Sequence, residues 1–302
     1  MKKIRNAFLS HCRKIGLLIL NFLFNRERFF RFLGNRGVIK TVFVAYPASE
    51  EYADKYVYKR HRHWMRWKPW PAGIFKQNGK WGLMLVISST EKDFKPENYH
   101  DLKLLVEGTE NIRRWLNADQ KTFAGVLPGV LYTLGLLEDP VERRVTVEAL
   151  IKAEKSLRKR VGYSEDTPLI LLGGKGFIGR CLEERLSREV YCVDVNSHPD
   201  KPNLKDWPYE IQDSKAILIN LTRAGVVSHY TSLFWPGLVM LNEAYPAPED
   251  AAEEIRQKGG EAFHLVGVEA NSIPSFPKAY YGGIPCCAAW PAKKLKVILR
   301  EL

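Results

Sequence analysis

The chain has 302 residues, 45% of them apolar, which is enough for two ordinary domains with a core in each and sets aside a disordered or fibrous protein. Its five cysteines, Cys12, Cys181, Cys192, Cys286 and Cys287, show neither a CxxC nor a Cys/His spacing, so reduced thiols in a cytoplasmic protein are expected and a metal is not. The net charge of +12 is uneven: residues 1–40 hold ten bases against Glu27 alone, which gives +9 there and leaves +3 for the rest.

Residues 1–37 read as a basic amphipathic arm. Its apolar stretches, IGLLILNFLF at 15–24 and FFRFL at 29–33, fall short of the ~20 residues that span a bilayer. NRERFFRF stands where a secretory signal would need small residues for cleavage. Two expectations remain open. The arm lies on an anionic membrane surface, which would make the protein peripheral at the inner face of the membrane. Alternatively, it packs on the protein's own body or on a second copy in a homo-oligomer.

Residues 38–150 form an expected N-terminal α/β substrate domain. VIKTVFVAYPAS at 38–49 and KWGLMLVISS at 80–89 read as buried strands, and helical patterns follow at 100–117, about 122–137 and 141–161. The domain boundary is placed along the last of these, before the turn-rich GYSEDTP at 162–168. Between the first strands, KYVYKRHRHWMRWKPW at 55–70 interleaves six bases with five Tyr or Trp. Nucleic acid is disfavoured as its partner, since no nucleic-acid module surrounds it. An acidic carrier protein or a membrane interface would use the same residues, and so would a half-buried segment with solvated bases.

From Leu169 short apolar runs recur: LILLG, VYCVDV, KAILINL, GLVMLNEA and AFHLVGVEA. They predict a doubly wound, mainly parallel Rossmann sheet over 151–270, preceded by the smaller α/β domain. Residues 271–302 read as a C-terminal return segment that ends in a short helix.

The stretch after the first run carries the chemistry. Gly174, Gly176 and Gly179 make G-x-G-x-x-G between an apolar strand and a helix-like segment that begins at Phe177 and Ile178. In a dinucleotide fingerprint the first glycine makes the tight turn, the second admits the pyrophosphate and the third lets helix and strand pack closely. Asp194 ends the next run twenty residues beyond Gly174, where an acid binds the ribose hydroxyls, so NAD is favoured over NADP. Nearby Asn196, Ser197 and His198 would tolerate a 2′-phosphate. Asn220, Thr222 and Arg223 follow the next strand, where the nicotinamide half would lie.

The order of elements resembles the plan of two-domain shikimate and methylenetetrahydrofolate dehydrogenases. Within that set, AGVVSHYTSLFWPGLVMLNEAYP at 224–246 and IPCCAAW at 284–290 resemble segments of long-chain acyl-carrier-protein reductases. The resemblance implies that Cys287 attacks an acyl thioester to form an acyl-enzyme reduced to an aldehyde with NAD(P)H, with Cys286 as its rival. Packing as small apolar thiols is the other reading of both. Pro285 and Pro291 depart from that family's pattern. SEEYADKYVYK at 49–59 does not reproduce the folate enzyme's Tyr-to-Lys spacing after Tyr52, so no catalytic lysine is carried over. The expected function is an NAD(P)-dependent oxidoreductase acting on a carbonyl-level carbon of a small-molecule or carrier-bound acyl substrate. The alternative is a dinucleotide-binding scaffold without turnover.

Overall fold

A computed structural model of the chain describes residues 10–12, 14–19, 21, 26–54, 57–194, 201–223, 225–291 and 295–302. In chain order the strands are β1 (Ile39–Ala45), β2 (Trp70–Gln77), β3 (Lys80–Val86), β4 (Gln120–Phe123), β5 (Leu169–Leu172), β6 (Val190–Val193), β7 (Ala216–Asn220), β8 (Leu238–Asn242), β9 (Glu261–Val268), β10 (Asn271–Ile273) and β11 (Val297–Glu301). The helices include α1 (Arg26–Asn35), α2 (Tyr99–Trp115), α3 (Leu127–Thr133), α4 (Val141–Val161), α5 (Phe177–Arg185) and α6 (Glu249–Gln257). The chain divides into two compact units. One comprises Met1–Glu142, Ala270–Lys278 and Cys287–Ala292, the other Arg143–Glu269, Ala279–Cys286 and Lys293–Leu302.

The first unit holds a five-stranded mixed sheet in the order β10-β2-β3-β1-β4, with β1 parallel to β3 and β4. β1 is rich in β-branched residues and buried along most of its length, as a strand covered on both faces must be. On one face, Val42, Val44, Leu83 and Leu85 join Leu102, Leu105 and Ile112, whose spacing of three and seven places them on one side of α2. Phe30 of α1 enters the same cluster. Phe43 meets Phe75 and Phe276 in ring contacts at 6.4 and 6.1 Å.

The second unit holds a six-stranded sheet in the order β11-β9-β8-β7-β5-β6, parallel throughout except for β11 at its edge. The five apolar runs after Leu169 are its five parallel strands. Every residue of β5, β7 and β8 is buried, and each fully buried large apolar side chain contributes about 1.5–3 kcal/mol. Trp207, Tyr230, Phe234 and Trp235 pack with Ala251, Ala252 and Ile255 of α6 over Leu218, Leu238 and Met240. Glu154 of α4 pairs with Arg158 and, at 3.0 Å, with Arg188; Arg158 in turn donates to the Ser164 and Thr167 carbonyls and so holds the turn that leads into β5.

Two expected elements are corrected. The stretch 122–137 is not one helix: Thr122 and Phe123 pair with β1 as part of β4, and Gly125 at φ 54° turns the chain before α3 begins. The tail does not end in a helix but in β11, because Val297, Ile298 and Leu299 complete the open edge of β9. The tail also supplies β10, which pairs antiparallel with β2 in the first unit.

Candidate dinucleotide site

After β5, the chain turns at Gly173, whose φ of 89° is one that only glycine adopts without strain. The tight turn assigned to Gly174 in the sequence thus falls one residue earlier. Gly174 is needed for space: a Cβ there would lie 2.7 Å from the Cys192 Sγ and 2.8 Å from its Cβ. At Gly179 a Cβ would lie 2.3 and 2.5 Å from the Gly174 and Gly173 carbonyl oxygens, so only glycine lets the first turn of α5 close on the loop. Gly176 differs, because a Cβ there would meet only the Gly173 oxygen, at 3.1 Å. The residue is exposed. The backbone N–H groups of Phe177, Ile178 and Gly179 make up the first turn, where the helix end presents donors and a positive dipole. The Arg143 guanidinium lies 5.3 Å over the Phe177 ring.

Asp194 follows β6, half-buried, directly beside the loop: Gly173 donates to the Val193 carbonyl at 2.7 Å. Asn203 donates to the Asp194 carbonyl at 3.1 Å and to the Asp206 carboxylate at 2.9 Å, and Lys175 of the loop stands 3.6 Å from the same carboxylate. Cys192 lies beneath. Burial, with Glu183 close by, pushes its thiol up to about 11.

On the other side of β5, the loop after β7 touches the glycine turn, since a Cβ at Gly173 would lie 3.1 Å from the Thr222 Cγ2. A polar row crosses the sheet here that the sequence reading missed. The Thr222 N–H and hydroxyl donate to the Asn220 Oδ1 at 3.1 and 2.6 Å, and the Asn220 Nδ2 donates to the Asn242 Oδ1 at 2.7 Å. The Asn242 Nδ2 donates to the Ala244 carbonyl and stands 2.9 Å from the His264 Nδ1. Asn220, Asn242 and His264 are register neighbours on β7, β8 and β9 and are all buried. Burial lowers the basicity of His264, and its Nδ1 also lies 3.1 Å from the Asn242 carbonyl oxygen, so the ring tautomer sets whether Nδ1 donates to that carbonyl or accepts from the Asn242 amide. The next residue, Glu243, is half-buried, and burial pushes its carboxyl up to about 7. The signal for this row was the asparagine that ends both AILIN and LVMLN.

The structure therefore brings Gly174, Gly176, Phe177, Ile178, Gly179, Asp194, Asn220 and Thr222 to one carboxyl edge of one sheet, with Arg223 exposed just beyond. Asn196, Ser197 and His198 lie outside the described residues, as do Lys55 and Tyr56. Cys286 is buried and Cys287 half-buried in a short turn, Cys286–Ala288; Cys287 belongs to the first unit and Cys286 to the second. None of the five cysteines forms a disulfide. In the first unit the Tyr46 hydroxyl donates to Glu91 at 2.8 Å and accepts the Val126 N–H at 3.1 Å. Burial, Glu91 and Cys287 all raise its pKa.

In the segment 55–70, Arg62 pairs with Glu50 and Asp54, and Arg66 with Asp93. Trp70 is buried with Val57 and Met65, whereas Trp64 is exposed. Among the described residues no group of His, Cys, Asp and Glu is arranged to hold a metal ion. No protein-family model matches the chain, and no curated protein sequence matches it.

Proposed function

We propose that this protein is an NAD(P)-dependent oxidoreductase whose second unit is a Rossmann-like, doubly wound dinucleotide domain. The observation that carries the reading is the loop Gly173–Gly179. It joins a buried parallel strand to a helix N-terminus, leaves Gly176 exposed while Gly174 and Gly179 are packed, and stands where the strand order reverses between β6 and β7. Open α/β sheets bind their ligands at such a switch point, outside the carboxyl ends of the strands.

In this reading the N–H groups of Phe177, Ile178 and Gly179 hold the pyrophosphate and Asp194 accepts hydrogen bonds from the ribose hydroxyls. A 2′-phosphate would meet the Asp194 carboxylate, which favours NAD. Asn220, Thr222 and Arg223 line the nicotinamide half. The cofactor, when bound, supplies or accepts hydride at a carbonyl-level carbon of the substrate. Glu243, which follows Asn242 at the carboxyl end of β8 and whose carboxyl burial pushes up to about 7, is the candidate for the proton transfer that accompanies the hydride transfer. For a carrier-bound acyl substrate, the Cys287 thiolate would attack the thioester carbonyl, expel the carrier thiolate and retain the acyl group on Sγ.

Titration with NADH and NADPH, followed by nicotinamide fluorescence, tests the proposal. Saturable NADH binding is expected, and Asp194→Ala should weaken it about tenfold or more by removing hydrogen bonds to a charged group. If neither nucleotide binds the wild-type protein, the reading is wrong. If NADH binds but no carbonyl or alcohol substrate is turned over, the dinucleotide-binding scaffold takes its place.

A further inference from the structure

We infer that the outward face of α1 is a docking surface for an anionic lipid bilayer. The inference is independent of the dinucleotide reading. One side of α1 is fixed to the first unit. Phe30 is 1% exposed and stacks on Trp115 at 6.4 Å, and Gly34 fits so closely that a Cβ would lie 2.2 Å from the Trp115 carbonyl oxygen. At about 100° per residue, Phe32 lies about 200° around the helix from Phe30, with Arg28 and Phe29 on either side of it. Phe32 is 53% and Phe29 39% exposed, and the Arg36 guanidinium lies 4.3 Å over the Phe32 ring. The preceding helical residues repeat the arrangement. Leu18 packs with Val57, Met65 and Trp70, while Ile15 and Ile19 remain 41% and 48% exposed.

Two successive helical segments thus each bury one side and present large apolar groups on another, in a region of ten bases and one acid. That pairing of apolar side chains with cations of one sign complements a bilayer surface: rings enter the acyl boundary and guanidinium groups meet lipid phosphates. Among the described residues no helix is long and apolar enough to cross a membrane, so the contact is one of lying on the surface.

The test is co-sedimentation of the full chain with vesicles of phosphatidylcholine containing about one part in three phosphatidylserine, against phosphatidylcholine alone. Binding to the anionic vesicles is expected, with at least about tenfold weaker binding to the neutral ones and a further loss as salt rises. The double variant Phe29→Ser/Phe32→Ser should bind about tenfold less than wild type with a native circular-dichroism spectrum; Phe32→Ser alone, at the more exposed ring, should fall between with its melting curve unchanged. The inference is overturned if the wild type stays in the supernatant with anionic vesicles, if it binds both vesicle types equally, or if correctly folded variants bind like wild type.

Discussion

Replacement of Glu142 by glutamine should change how stability depends on pH. Glu142 is 3% exposed in the first turn of α4, and its Oε1 accepts the Phe123 N–H at 2.5 Å. It borders a cleft of about 220 Å³ lined also by Glu110, Arg113, Gln120 and Lys121. Burial raises its carboxyl from 4.5 to about 7, against the opposing pull of the backbone N–H groups and Lys121. Between those two values the folded protein holds a proton that the unfolded chain has released. The contribution is therefore complete below pH 4.5 and is lost as pH rises to about 7. At about 1.4 kcal/mol per pH unit this amounts to about 3 kcal/mol. Glu110, depressed to about 2 chiefly by its hydrogen bonds with Arg113, acts in the other direction and only below pH 4.5, so it leaves this window clear. Glutamine keeps the acceptor for Phe123 and cannot ionise. Urea unfolding followed by tryptophan fluorescence should give Glu142→Gln a stability close to wild type at about pH 5 and higher by up to about 3 kcal/mol at about pH 8. Glu243 has the same sign, whereas His264, whose basicity burial lowers, acts in the opposite direction below pH 6.5, so the slope left in the variant is the sum of the two. Parallel wild-type and variant curves would refute the reasoning.

The glycine loop makes an ordered prediction. Gly174→Ala should lower stability by about 1–3 kcal/mol and Gly179→Ala by more, because the first meets a side chain and the second meets two carbonyl oxygens; thermal melting measures both. Adding Cys192→Ala to Gly174→Ala should restore only part of the loss, since the Cys192 Cβ and Cα would still lie 2.8 and 3.1 Å from the new methyl group, and full restoration would contradict the packing described. Asn242→Ala strips the Asn220 amide of its acceptor and the Ala244 carbonyl of its donor, which should cost about 2–4 kcal/mol. A loss below about 1 kcal/mol would mean that water replaces the missing amide.

Much of the second unit was legible in the sequence because a parallel strand covered on both faces must be apolar without interruption, and LILL, AILIN and LVMLN are such runs. α4 was legible over Val141–Val161 because Asp139 and Pro140 break the chain before it. β2 was hidden by the proline and the bases around it: Pro71 lies near its start, and KPW and FKQ bracket its apolar residues. KLKVILREL has charges at helical spacing, and only an edge of β9 in need of a partner makes a strand of it. Of the candidate site, the placing of the glycine loop between β5 and α5 and of Asp194 after β6 was legible because it depends on positions close in sequence. The Asn220–Asn242–His264 row was not, since its members are 22 residues apart at each step and meet only through strand register. Cys192 was counted as a thiol, although the space it takes dictates the residue at position 174.

The tail bears on how this chain can be divided. After Glu269 it passes from one unit to the other and back until each has received two pieces. A fragment that stops at Glu142 would lack the strand that pairs with β2 and the Phe276 ring that meets Phe43. One that begins at Arg143 would still carry segments belonging to its neighbour. The two units are thus distinct in contact but not severable by a single cut. β10 of one sheet and β11 of the other come from the same short stretch, so neither β2 nor β9 gains its outer partner until that stretch has been made.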